Sequence, residues 1–379
     1  MSLRPFVSIV VNNYNYGRFL PEAIASALDQ TYPSREVVVV DDGSTDDSRQ
    51  VIAGYGDRIL PVLQENGGQA SAFNAGLGAS RGEVVLFLDA DDVLLPGAVQ
   101  SAVAVFERDR PAKVHWPLWV IDAQGRRTGR IWPGQRLPEG DFREMTRRNG
   151  PSIGQSPPTS GNAWARGFLE SVFPVPEEYR LCADDYLYAL APAFGPIGRV
   201  PRPQGCYRLH GRNGYLTKSF DERLELGCRV QDQQCAVLER YFGGLGVNAD
   251  VPAWKARLWF HRVRRAVRSI EASIPAGGTF VLVDDDQWGA GDAVRGRRRR
   301  HFVERDGCYW GPPADDSAAV SELAGLRRGG ADFVVFAWPS LWWLEHYPAL
   351  HEYLRKGSRA AWWDEDLALF DLRGGNGAH

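Results

Sequence analysis

"EVVLFLDADD", Glu83 to Asp92, is the stretch that decides the fold. Its first half is a continuous apolar run of strand length. It ends in three carboxylates, Asp89, Asp91 and Asp92. A strand that is apolar on both faces belongs inside a sheet covered on both sides. Like charges gathered at the end of such a strand cost free energy unless something offsets them. The stretch therefore predicts a buried strand with a charged ligand or counter-ion at its carboxyl end.

The flanking sequence repeats the pattern. "FVSIVVNN" and "EVVVVDDGSTDDS" are two more apolar, β-branched runs, and "RILPVLQE" is a further candidate strand. Between them, "YGRFLPEAIASALDQTY" sets Phe19, Ile24, Ala27 and Leu28 on one helical face. Ser44 stands where it can cap a helix over "TDDSRQVIAGY". "SAFNAGLGAS" is a third helix. Strands alternating with helices predict an α/β fold with a mostly parallel central sheet.

At 379 residues the chain is long for one core, and two domains are expected. Pro and Gly become dense between Pro133 and Pro158 and mark a loop-rich region. Helical patterns resume at "ARGFLESVF" and "DDYLYALAPAF". "PAWKARLWFHRVRRAVRSIEASI" reads as one long amphipathic helix with a basic face. From Gly277 a second, smaller α/β pattern begins: strand "TFVLVDDD", helix "DSAAVSELAGLRRG", strand "ADFVVFAWP", helix "SLWWLEHYPALHEYLRK" and hairpin "RAAWWDEDLALFDLR". The expected division is a first domain over 1–225, a helical connector over 226–274 and a C-terminal α/β domain over 275–379.

Composition narrows the class. A net charge of -3 argues against bulk nucleic-acid binding. No apolar stretch is long enough to span a bilayer, and no secretory leader is visible at the N-terminus. Five scattered cysteines, Cys182, Cys206, Cys228, Cys235 and Cys308, form no CxxC pair and suit reduced packing residues in a cytoplasmic protein. The run "RGRRRR", Arg295 to Arg300, reads as a solvated loop. The basic helix suits packing between domains or, as the alternative, contact with an anionic membrane face.

Ligands of open parallel sheets bind beyond the carboxyl ends of the strands. Three such ends here are polar: "NNYNYG", "DDGSTDD" and "DADD". GxGxxG is absent after the first strand, and so is GxxxxGK[ST], which removes the main support for dinucleotide and P-loop sites. Along an extended strand Asp89 and Asp91 point the same way. Such a pair suits a hard divalent cation, Mg²⁺ or Mn²⁺, with a diphosphate completing its shell. The alternative is that the acids cap the helix "LLPGAVQSAVAVFERD", but three acids exceed what a cap needs.

"VSIVVNNYNYGRFLPEAIASALDQTY", "EVVVVDDGSTDDS", "NGGQASAFNAGLGASRGEVVLFLDADD" and "YRLHGRN" together resemble the inverting family 2 glycosyltransferases. The resemblance is strong over about residues 5–110, looser to about residue 215, and absent beyond. It implies a GT-A fold, a nucleotide-diphosphate sugar donor, a Mn²⁺ or Mg²⁺ cofactor and a hydroxyl acceptor that is a sugar, a lipid-linked species or a small molecule. A UDP-sugar is the favoured donor, with GDP and dTDP sugars as alternatives. By the same resemblance Val11, Asn13 and Tyr14 edge the nucleotide, Asp42 hydrogen-bonds the base, and Gly68, Gln69 and Asn74 lie against it. Relatives carry Arg-Asn where this chain has Phe73-Asn74. Asp89 touches ribose or metal, and Asp91 is the main metal ligand.

Sugar transfer needs a base to accept the acceptor's proton. The resemblance puts it at Asp185 of "LCADDYLYAL", with Asp184 preceding it. Plain helix capping is the alternative for both acids. A helix N-terminus lowers a carboxylate pKa. Trp164, in an acceptor-side segment "TSGNAWARGF", is either a stacking platform for a sugar or core. His210 either reaches the metal or diphosphate or is structural. The expected function is metal-assisted, inverting glycosyl transfer in polysaccharide or glycoconjugate synthesis. A nucleotidyltransferase and a non-catalytic carbohydrate-binding or assembly protein stand as alternatives. The C-terminal domain suits a ligand cleft of its own, with Asp284 to Asp286 at a strand end, or equally an acceptor-positioning or homodimerising module.

Overall fold

The computed structural model describes residues 4–151, 156–211, 213, 218–289, 294–305 and 308–373. The first hundred residues alternate as their periodicity predicts: β1 (Val7–Asn13), α1 (Leu20–Leu28), β2 (Arg35–Asp42), α2 (Ser48–Ala53), β3 (Leu60–Gln64), α3 (Gln69–Ala79) and β4 (Val84–Asp89). Next come β5 (Val93–Leu94), α4 (Ala98–Asp109), β6 (Lys113–His115), β7 (Leu118–Ile121), β8 (Arg127–Trp132) and α5 (Arg143–Asn149). Then β9 (Asn162–Ala165), α6 (Arg166–Val172), α7 (Ala183–Phe194), β10 (Ile197–Arg199) and β11 (Gly205–Arg208) follow.

Seven of these strands form one sheet in the order β10-β6-β9-β4-β1-β2-β3. β1 pairs in parallel with β2 and β4, and β2 with β3. β9 runs antiparallel between β4 and β6. Val7, Ile9, Val10 and Val11 are all fully buried, as a strand covered on both faces requires. The register sets Asn12 beside Asp89 and Asn13 beside Asp41, so the polar ends of β1, β2 and β4 share one rim. A second sheet, β5-β11-β7-β8, carries β11 to the acids that follow β4. This is the mixed α/β, GT-A-type arrangement with an additional C-terminal domain.

The remaining elements are α8 (Phe220–Gly244), α9 (Val251–Arg257), α10 (Trp259–Ser273), β12 (Thr279–Val283), β13 (Arg298–His301), β14 (Glu304–Arg305), β15 (Cys308–Tyr309), α11 (Asp316–Arg328), β16 (Phe333–Ala337), α12 (Trp343–His346), α13 (Pro348–Gly357), β17 (Ala360–Trp363) and β18 (Leu367–Asp371). The chain divides into two compact units, Met1–Thr217 with Val230–Lys255, and Lys218–Arg229 with Ala256–His379. The second has its own sheet, β13-β12-β16-β18-β17, with Val281, Val334, Phe336 and Phe370 in its core.

Several local expectations change. The long basic helix is two, because Leu258 is buried in an extended conformation (φ -68, ψ 140) between α9 and α10. On α10, Arg262 and Arg265 both pair with the buried Asp366, at 2.8 and 2.6 Å. The helix expected over "SLWWLEHYPALHEYLRK" breaks before Pro348, whose ring and missing N–H end a helix at the preceding residue. The arginine run is no loop: Arg298, Arg299 and Arg300 form β13, a basic edge strand parallel to β12, of the kind that resists edge pairing. Ser44 caps nothing. α2 begins only at Ser48, and Ser44 Oγ accepts from Asn13 Nδ2 at 3.1 Å and Asn15 N at 2.9 Å. Among the described residues no disulfide joins Cys182, Cys206, Cys228 and Cys235, and the side chain of Cys308 lies outside the described residues.

Candidate active site

β4 ends at Asp89, and the chain turns at once through Ala90 and Asp91. The expected strand geometry of Asp89 and Asp91 therefore stops one residue short. A turn replaces it, and Asp91 is brought against a different partner. Its Oδ2 lies 2.9 Å from His210 Nε2. The His210 ring is packed between Tyr16 and Phe19, with ring centroids 5.3 and 4.9 Å away. Asp92 Oδ1 accepts from Arg208 N at 2.9 Å, while its buried Oδ2 meets no hydrogen-bond partner among the described residues. Arg208, fully buried, donates to the Asp91 carbonyl at 2.8 Å and to Glu22 Oε2 at 2.6 Å. The acids do not cap α4, whose N-cap is Gly97.

The cluster carries more negative charge than its partners offset. Burial first, then the charges of Asp91 and Asp184, hold the Asp89 carboxyl well above the usual range. Burial, then Asp91 and Asp89, do the same to Asp92. Among the described residues, both buried amide atoms of Asn12, beside Asp89, find no hydrogen-bond partner, and neither does Asn13 Oδ1. Buried polar groups normally find partners, so a rim with several unmet donors and acceptors suits a polar ligand. Oxygen donors with surplus negative charge fit a hard divalent cation. Among the described residues no three His, Cys, Asp or Glu side chains gather as a closed metal site. A Mg²⁺-type ion needs only one or two carboxylates, with water and phosphate completing its shell.

The other predicted residues fall into two groups. Asn13 Nδ2 donates to Asp41 Oδ2 at 3.0 Å, and Tyr14 is exposed at the rim. Asp42 accepts from Gly67 N at 2.9 Å, Gly68 N at 2.8 Å and Asn66 Nδ2 at 3.0 Å, so its carboxylate shapes the "NGG" turn. Gly68 has φ +87, and a Cβ there would meet the Arg180 carbonyl oxygen at 2.8 Å. Gln69 Oε1 accepts from Ala183 N at 2.8 Å, and its Nε2 reaches Thr159 Oγ1 at 3.3 Å. Three side chains face elsewhere. Val11 is wholly in the apolar core. Asn74 spends both amide atoms on the Val175 backbone, at 2.9 and 2.7 Å. Trp164 is core rather than an exposed platform: it is 1% exposed and stacks with Phe168 and Tyr188. Phe73, where relatives carry Arg, is buried and stacks on Phe87 at 4.0 Å.

Asp184 and Asp185 open α7, after Cys182 in a left-handed conformation (φ 61). The helix terminus does not prevail over their surroundings. Burial raises Asp184 despite hydrogen bonds from Tyr188 and Thr159. Burial and then the charge of Asp184 hold Asp185 well above the ordinary range, with Lys113 pulling the other way. Thr159 Oγ1 and Tyr188 Oη each lie 3.0 Å from Asp184 Oδ2. Asp89 N donates to Oγ of Ser160, the residue after Thr159, at 3.1 Å. The end of β4 and the acids of α7 are thus joined through two adjacent hydroxyls, Ser160 and Thr159.

A family model for glycosyl transferase family 2 matches residues 8–161. An uncharacterized glycosyltransferase of Nostoc sp. is 40% identical over 238 residues, which is 60% of this chain and 73% of that protein. The chain belongs to glycosyltransferase family 2. A second such protein, from Rickettsia prowazekii, is 34% identical over 134 residues, 35% of this chain; the match spans only 42% of that protein's length. Among solved structures, TarS 1–349 of S. aureus in complex with UDP is similar at a TM-score of 0.47 and 18% identity, over 98% of both chains.

The glycosyltransferase reading is therefore settled at the level of the family. It sets aside the nucleotidyltransferase and the non-catalytic binding protein. No helix among the described residues is long and apolar enough to cross a membrane. Sequence reasoning missed four residues of this glycosyltransferase's site: Lys113, Thr159, Tyr188 and Arg208. Lys113 left a trace, a lone lysine in the apolar run "KVHW". The other three stand inside segments quoted above, "TSGNAWARGF", "LCADDYLYAL" and "YRLHGRN", in which other residues drew the reading.

Proposed function

We propose that this glycosyltransferase transfers a sugar with inversion, in a single displacement, with Asp185 as general base. The observation that carries the reading is the pair Thr159 and Ser160: Thr159 Oγ1 donates to Asp184 Oδ2 at 3.0 Å and Ser160 Oγ accepts from Asp89 N at 3.1 Å, which supports one site for the donor-side and acceptor-side acids. The nucleoside diphosphate lies along the rim of β1, β2 and β4, with Asn13 and Tyr14 at its edge and the "NGG" turn, shaped by Asp42, beneath it. Asp91 and Asp89, with His210 behind Asp91, would hold a divalent cation, Mn²⁺ or Mg²⁺. When bound, such an ion neutralises the diphosphate and stabilises it as a leaving group.

The remaining chemistry belongs to the chain's own side chains. An acceptor hydroxyl attacks the anomeric carbon as the bond to the diphosphate oxygen breaks. Asp185 takes the hydroxyl proton, and the nucleoside diphosphate departs with the bonding pair. A carboxyl raised by burial is a stronger base than an exposed one, which suits proton abstraction near neutral pH.

The test is a thermal-shift panel of UDP, GDP, dTDP and CDP, each with and without Mn²⁺, on wild type and Asp91→Asn. Binding to the native state raises the melting temperature by linkage. One nucleotide should give a metal-dependent rise that Asp91→Asn loses. No rise with any diphosphate, or one indifferent to metal and to Asp91, overturns the reading.

A further inference from the structure

Forty-four side chains are Lys or Arg, and only four of them are lysines: Lys113, Lys218, Lys255 and Lys356. One of these four is fully buried beside the acids of the site. Lys113 lies on β6, in register with Trp164 of β9, and has no exposed surface. Its Nζ stands 4.3 Å from the Tyr188 ring centroid and 5.2 Å from that of Trp164. Its one hydrogen bond among the described residues is to Ser156 Oγ, at 3.3 Å. No carboxylate there comes within ion-pair distance. The contrast is Arg208, equally buried but locked onto Glu22. An arginine in the place of Lys113 would be charged permanently, whereas a lysine can give up its proton.

Aromatic faces attract an ammonium and leave it free of a fixed acid partner. The cage has a chemical direction, because the ring that faces Lys113 carries a hydroxyl 3.0 Å from Asp184 Oδ2 and 2.6 Å from the Pro157 carbonyl. The groups facing Lys113 are Asp184, Asp185 and Tyr188 from α7, Trp164 from β9 and His115 from its own strand. His115 adds no charge. Burial and then Lys113 itself push it down to about 3, and its Nε2 bonds the Pro138 carbonyl at 2.7 Å. Arg199 of β10 acts on His115 and pairs with Glu139.

We propose that Lys113 is a positioning residue for proton transfer, a buried amine whose ammonium form, held on the faces of Tyr188 and Trp164, keeps the Asp184–Asp185 pair ionised. The inference rests on Asp185 being the general base. The energetics agree with the geometry. Burial pushes the amine down to about 7, against the pull of Asp184 and Asp185. The amine therefore changes charge near neutral pH, and it and the raised acid pair each set the protonation of the other. The acid limb of the pH–rate profile belongs to this group of three rather than to Asp185 alone.

The full chain labelled at lysine Cε tests this by NMR, because only four amine resonances exist. Lys113→Met identifies its own signal by loss. In wild type the Lys113 resonance should titrate near pH 7, and its midpoint should fall by about one pH unit or more in Asp185→Asn, since an opposite charge has been removed. Asp184→Asn provides the same readout should Asp185→Asn fail to fold. With the donor identified by the panel above, Lys113→Met should also move the acid limb of kcat upward while leaving diphosphate binding at its wild-type affinity. A Lys113 midpoint at the ordinary lysine value, or one unmoved by both acid variants, overturns the inference. Failure of the nucleotide panel would sink the transferase mechanism without touching the titration, so the two outcomes are distinguishable.

Discussion

His210 Nε2 lies 2.9 Å from Asp91 Oδ2, and the two residues are 119 positions apart in the chain. The contact joins the segment after β11 to the turn after β4. It orients the carboxylate proposed as the main metal ligand, and it is enclosed by Tyr16 and Phe19.

His210→Ala should weaken Mn²⁺-dependent binding of the nucleoside diphosphate by about 10–100-fold, the usual cost of removing a partner that orients a metal-ligating group. Titration calorimetry with and without Mn²⁺ measures it. Affinity within about twofold of wild type would show that His210 is a packing residue only.

Asp185→Asn should lower kcat by about 10²–10⁴-fold, the range that a positioned general base contributes. Donor-nucleotide binding should hold, because Asp185 lies with the acceptor-side acids of α7. Steady-state kinetics and nucleotide binding on the same preparation decide it. A kcat within tenfold of wild type would remove Asp185 from the base role.

The same variant should be more stable than wild type at pH 7–8. Burial, then the Asp184 charge, raise Asp185 above its ordinary 3.8, so the folded state binds that proton more tightly than the unfolded chain does. The protonated carboxyl's contribution is full below 3.8 and is lost as pH rises through the folded value. Asparagine escapes that loss, for a gain of about 1 kcal/mol, typical of relieving a functional-site charge. Melting temperatures at pH 4 and pH 8 test it: the advantage should appear at pH 8 and vanish at pH 4. Equal differences at both would contradict the linkage.

Gly68→Ala should destabilise the first unit by about 1–3 kcal/mol, the cost of a left-handed conformation for a residue with a Cβ. Here φ is +87, and the added carbon meets the Arg180 backbone at 2.8 Å. A urea midpoint that falls without a change in slope is the expected result. An unchanged midpoint would mean that the "NGG" turn relaxes freely.

Much of the first unit was legible locally. Continuous apolar runs such as "EVVVV" and "EVVLFL" announce strands buried on both faces, and acids directly after them announce a polar rim. Local reading failed where a side chain's partner was remote. Trp164 read equally as a sugar platform or as core, and β9 makes it core by inserting it between β4 and β6. Asn74 looked like a nucleotide contact, yet the Val175 backbone occupies its amide. Leu258 and Pro348 broke helices whose apolar periodicity ran on past them.

The sequence by itself determined the strand–helix order, the two α/β patterns and the acids at the carboxyl ends, because burial and period are properties of short segments. Only the tertiary structure decided which of those acids are joined. Thr159 on Asp184, His210 on Asp91 and Lys113 beneath the α7 acids all depend on strand order and register between distant segments. Register is set by packing across the whole sheet, and no local periodicity encodes it.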